Sequence, residues 1–146
     1  TPPYTSSAAS DVYKRQTKAY GGDCVLLIVA ALDKIQLRDF SQLSKELDLD
    51  ILIEVHSEAE LFDALTIDPK LLGINNRDLT TFEVDKNLSI KLAKQMPNDI
   101  TVISESGIRT REDIFNCKEH GIHSFLIGES LMKENSPGRA LKEILS

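Results

Sequence analysis

The chain has 146 residues, 41% of them hydrophobic and 27% charged, with a formal net charge of −6, a composition that suits one globular domain or part of one. The acidic balance argues against a nucleic-acid partner. No apolar run approaches the ~18 residues of a membrane span, and no signal pattern opens the chain, so no membrane is expected and the expected setting is cytoplasmic.

Residues 1–16 (TPPYTSSAASDVYKRQ) show neither a 2.0 nor a 3.6 apolar period and are rich in Ser, Ala, Pro and Thr. They read as a non-native or disordered tail, and 17–146 as the folded portion. From Lys18 onward short apolar runs alternate with amphipathic ones. The runs begin near Val25, Ile51, Leu71, Ile100 and Ser124, at intervals of 26, 20, 29 and 24 residues. This rhythm predicts α/β structure, and continuous apolar strands imply a parallel sheet buried on both faces under helices.

Between the strands, Leu32, Ile35, Phe40, Leu43 and Leu47 form the apolar stripe of a first helix. Ser57 with Glu60, and Thr110 with Asp113, have the spacing of capping boxes. Gly121 suits a left-handed helix end, and Ser136-Pro137 an N-cap followed by proline at the first helical position. Cys24 and Cys117 lie in no ligand spacing and read as reduced structural thiols. Five strand-helix units of roughly 26 residues correspond to five-eighths of a (β/α)8 barrel, which typically needs ~250 residues. The expected fold is therefore a partial barrel holding strands four to eight.

Chemistry in such folds sits at the carboxyl ends of the strands. Glu54 closes an otherwise apolar run, where a carboxyl group leaving water suits a general acid or base; the competing reading is a structural acid paired with Arg77 or with a lysine outside this chain. His56 reads as a hydrogen-bonded loop residue before a proton shuttle. Asn75 and Arg77 follow a buried strand, offering an amide and a guanidinium fork for a carboxylate; the alternative is a polar turn with an Arg-Asp surface pair. Two further tips end in Ser106-Gly107 and Gly128-Glu129, with glycines 21 residues apart. Their hydroxyl and backbone N–H groups suit a phosphate. Glu105 points away from Ser106, toward substrate or a catalytic lysine. His120 and His123 flank the turn at the opposite end and read as surface residues. No metal site is expected.

Taken together, LLIVAAL, ILIEVHSEAEL, LLGINNRDLTTFEVD, ITVISESGIRTREDI and SFLIGESLM, in this order, resemble indole-3-glycerol-phosphate synthase over about residues 16–146. The resemblance implies a carboxy-lyase of tryptophan biosynthesis that needs no cofactor. Its substrate would be the phosphosugar-anthranilate 1-(2-carboxyphenylamino)-1-deoxyribulose 5-phosphate, closed with loss of carbon dioxide and water. By the same resemblance Glu54 takes an acid-base part, Asn75 orients substrate, and Arg77 lies nearby. Glu105 bonds substrate hydroxyls or a lysine. Ser106, Gly107, Gly128 and Glu129 form the phosphate cradle, Glu129 through its backbone N–H alone. The family's lysines on the first and third strands have no counterpart here, so the chain is expected to be a fragment, inactive alone and unstable unless the missing N-terminal barrel portion completes it. The alternatives are a non-catalytic phosphosugar-binding half-barrel, or another phosphate-binding barrel such as phosphoribosylanthranilate isomerase.

Overall fold

The computed structural model describes residues 6–146. Strands β1 (Cys24–Ile28), β2 (Asp50–Val55), β3 (Leu71–Asn75), β4 (Thr101–Glu105) and β5 (Ser124–Leu126) form one sheet in sequence order. Every neighbouring pair is parallel. Each strand starts within one residue of the position read from the apolar runs. The helices are α1 (Ser6–Ala19), α2 (Lys34–Glu46), α3 (Glu58–Leu65), α4 (Leu88–Ala93), α5 (Arg111–Glu119), α6 (Glu129–Met132) and α7 (Pro137–Leu145).

Alternate strand residues divide the sheet into two unlike faces. Leu27, Ile53, Val55, Leu72 and Ile74 pack against Leu37 and Phe40 of α2, Leu61 and Ala64 of α3, and Leu92 of α4. A second cluster joins Ile90, Ile108, Ile114, Cys117, Ile122 and Ile144, tying α4, α5 and α7 together. The opposite face carries Leu26, Glu54, Gly73, Asn75, Glu105 and Leu126, as the strand register requires. Burial of both faces under helices is therefore corrected. The clusters cover one face, while Leu26 and Leu126 on the edge strands stay 48% and 55% exposed.

Local signals resolve unevenly. Thr110 and Asp113 make a complete capping box. Ser57 caps α3, but Glu60 reaches one residue further back and accepts from the His56 N–H at 2.8 Å. Gly121 ends α5 with a φ of 80°. Pro137 starts α7, whereas the Ser136 side chain makes no cap bond. In α2 the stripe is rotated from the expected one: Ile35 is exposed, and Leu37 is buried with Phe40 in the cluster that packs against the sheet. Of the thiols, Cys117 is buried and Cys24, at the outer end of an edge strand, is exposed.

Regular structure also begins inside the stretch read as a tail. The backbone is helical from Ser6, and the Lys14 ammonium lies 3.3 Å from the centroid of the Phe40 ring. Tertiary contact of this kind holds a helix whose own sequence lacks a strong apolar stripe. Residues 1–5 of that stretch lie outside the described residues.

The two faces differ in what a truncation should cost. Leu27→Ala should destabilise the chain by about 2–5 kcal/mol through cavity formation, and Leu26→Ala by roughly 1 kcal/mol or less because its side chain is already half in water. Urea melts of the two variants check the assignment of faces.

Candidate active site

The carboxyl ends of the strands bring the named residues to one rim. Glu54 is the penultimate residue of β2, Asn75 closes β3, and Glu105 closes β4. In register, Glu54 lies opposite Gly73, and Asn75 opposite Glu105. Asn75 donates from Nδ2 to Glu54 Oε1 at 3.1 Å, and its Oδ1 accepts from the Arg77 N–H at 3.0 Å. All three side chains are buried, Glu105 to 3% exposure.

Glu105 occupies space that exists because residue 73 has no side chain. A Cβ on Gly73 would lie 1.9 Å from Glu105 Oε1. That oxygen is buried without a hydrogen-bond partner among the described residues. Loss of water, reinforced by the charge and hydrogen bonding of neighbouring Glu54, pushes the Glu105 carboxyl up to about 7. Out of water and beside a second acid, Glu105 keeps its proton near neutrality, which is the condition for acid-base work by a carboxyl group at ordinary pH.

Ser106 and Gly107 both adopt left-handed backbone conformations, with φ of 63° and 76°. Gly107 is needed here twice over, since a Cβ would also come within 2.7 Å of Val84. For Ser106 the conformation is costly, and a buried amide stabilises it. Asn76 Nδ2 donates to the Ser106 carbonyl and to Ser104 Oγ, each at 3.1 Å. Asn76 Oδ1 accepts from the Ser89 N–H at 3.0 Å and from Ser89 Oγ at 2.7 Å. Asn76, Ser89 and Ser104 are all fully buried. Asn76 has no role in the sequence pattern above; its signal there is an amide beside Asn75 immediately after a buried strand.

A cavity of about 1110 Å³ is lined by Arg77, Glu105, Ser106, Gly107, Gly128 and Glu129, among others. Glu54 and Asn75 are not in its lining and connect to it through Glu105. Arg77 pairs with Glu129, and not with Asp78 or Glu54 as the competing readings had it. Asp78 instead accepts from the Thr81 and Thr80 N–H groups, which hold its carboxyl below the usual range, and faces His56 Nε2 at 3.5 Å. His56 is hydrogen-bonded through Nδ1 to the Asn75 carbonyl at 2.7 Å. His120 and His123 are exposed. Among the described residues no group of three His, Cys, Asp or Glu could hold a metal ion, and no helix is long and apolar enough to cross a membrane.

Parallel strands in sequence order, helices on one face and a polar rim at the strand ends define consecutive units of a (β/α)8 barrel. Solved structures share this fold. Mandelate oxidase with benzoyl-formic acid superposes with a TM-score of 0.71 at 13% identity, over 97% of this chain and 53% of that one. The Amycolatopsis orientalis BexX/CysO complex gives 0.64 at 16%, over 97% and 64%. At such identities the likeness concerns the fold alone.

The family model for indole-3-glycerol phosphate synthase matches residues 11–144. Among curated relatives of that description, one from Legionella pneumophila (strain Paris) is 51% identical over 126 residues, covering 86% of this chain and 49% of the relative. One from Delftia acidovorans is 44% identical over 131 residues, covering 90% and 49%. The chain belongs to the indole-3-glycerol phosphate synthase family, and it spans about half the length of the curated relatives it matches.

The raised Glu105 carboxyl makes stability depend on pH with a definite sign. The folded chain keeps this proton up to about 7, while the unfolded chain releases it near 4.5, so the stability it contributes is full below the lower value and is lost as pH rises to the upper one. Glu105→Gln removes that loss. Its melting temperature relative to the parent chain should climb between about pH 5 and pH 8, as calorimetry at stepped pH will show.

Proposed function

We propose that this chain supplies the carboxyl-terminal half of an indole-3-glycerol phosphate synthase site. The reaction would be the decarboxylating ring closure of 1-(2-carboxyphenylamino)-1-deoxyribulose 5-phosphate, in which ring carbon attacks the sugar carbonyl, carbon dioxide leaves, and water is then lost. The observation that carries the reading is the convergence of Glu54, Asn75 and Glu105 on one rim beside a cavity that Ser106, Gly107 and Gly128 line.

In this reading Glu54 and Glu105 handle protons around the dehydration, Glu105 keeping its own near neutral pH. Asn75 orients the site, fixing the Glu54 carboxylate through Nδ2 and the Arg77 N–H through Oδ1. Ser106 Oγ, with the backbone N–H groups of Ser106, Gly107, Gly128 and Glu129, takes the phosphate. Arg77 supplies a cationic fork at the edge of the same cavity.

Carbonyl activation in this reading falls to a lysine, which this half does not offer at its strand ends. Among the described residues none of the five strands runs out into a lysine. We infer that the chain alone turns over negligibly, and that a complementary half carrying lysines would supply the proton, a contribution usually worth ~100- to 10,000-fold.

Complementation by the amino-terminal half of the Legionella pneumophila relative tests the reading. The expected result is indole-3-glycerol phosphate formation only in the mixture. In that mixture Glu54→Gln should lower kcat by about 100-fold or more with little change in KM, whereas Ser106→Ala should chiefly raise KM. Comparable turnover by the unmixed chain, or reversed kinetic signatures, would contradict the assignment.

A further inference from the structure

The side chain of Glu129 has a place in this cavity that its backbone role does not account for. Arg77 reaches it from the loop after β3, and Lys133 from the far end of α6. The two contacts use different carboxylate oxygens, Oε2 toward Arg77 and Oε1 toward Lys133. The Arg77–Glu129 pair thus spans from the β3 loop to the β5 loop, across the β4 tip where Ser106 and Gly107 line the same cavity. An anion arriving there meets a guanidinium that already holds one.

We propose that the Glu129 carboxylate is an internal competitor for the guanidinium fork of Arg77, and that an anionic oxygen of the ligand enters by displacing it. The proposal rests on the reading of this cavity as the binding place of an anionic substrate. Three features make displacement feasible. The Arg77 and Glu129 side chains are 26% and 51% exposed, and ion pairs open to water are weak and exchangeable. A phosphate brings more charge and three acceptor oxygens to the fork in place of one carboxylate. Glu129 loses only one of its two partners, because Lys133 sits one turn on along the same helix and follows it. Arg109, whose charge also acts on Glu129, adds to the field that draws an anion in. Glu129 thereby keeps Arg77 oriented and satisfied when the cavity is empty, and sets a threshold that a weakly charged ligand does not pass.

The test titrates the 146-residue chain with inorganic phosphate and, separately, with benzoate at fixed ionic strength, following the Arg77 Nε–H resonance. Glu129→Gln should bind at least one probe about threefold to tenfold more tightly than the parent, and Glu129→Asp, which keeps the charge but shortens the arm, should shift the same way. The probe that gains identifies the displacing group as phosphate or carboxylate. Glu119→Gln changes net charge equally at a remote site and should leave affinity unchanged. Equal binding by parent and Glu129→Gln, or an equal gain in Glu119→Gln, overturns the competitor role while leaving the cavity an anion site. Absence of binding in every variant overturns both.

Discussion

Two carboxyl groups on one face of a parallel sheet meet over a residue without a side chain, and the rest of the rim is arranged around that meeting. Glu54 and Glu105 stand on strands separated by β3, whose Gly73 leaves the space that Glu105 fills. Removed from water and set beside a second acid, Glu105 keeps its proton near neutral pH and leaves one oxygen unpartnered. A buried acceptor without a donor costs free energy. A donor or cation brought by substrate or by a complementary half-barrel would recover that cost, so the strain of the site and its capacity for chemistry have one source.

The scaffold isolates this pair from the core that stabilises it. Apolar side chains of one parity anchor the sheet to α2, α3 and α4, leaving residues of the other parity free to be polar. At the strand ends the same division recurs in hydrogen bonds. Asn75 faces the acids, while Asn76 faces the helices and locks Ser89, Ser104 and the Ser106 carbonyl together. Adjacent amides thus serve two layers, one positioning a carboxylate and the other holding a left-handed turn that would be costly alone.

Much of this was legible in the chain itself. Continuous apolar runs mark the five strands, whose central members are buried on the helix side and, at Glu54, Gly73, Asn75 and Glu105, on the other side too; the capping spacing of Thr110 and Asp113 is local chemistry that tertiary packing does not override. Glu54, Asn75 and Glu105 stood out as polar residues ending apolar runs, and the structure brings them into contact or register. What the sequence could not convey depends on distant partners. The face of α2 that buries Leu37 and exposes Ile35 is the one that packs against the apolar sheet residues of its cluster. The helix begun at Ser6 is held by Lys14 on Phe40, a contact no local period announces. The Glu129 side chain finds Arg77 across 52 positions of sequence, and the left-handed turn at Ser106 depends on an amide 30 positions earlier.

Glu105 keeps its proton near neutral pH because it is dry and Glu54 is beside it. Carbon-13 NMR of the glutamate side-chain carboxyls, titrated in the parent chain and in Glu54→Gln, measures this directly. The account predicts that Glu105 titrates at about 7 in the parent, and lower once the Glu54 charge is removed, though still above the ordinary glutamate value because burial remains. A Glu105 resonance that titrates near 4.5 in both proteins would contradict it.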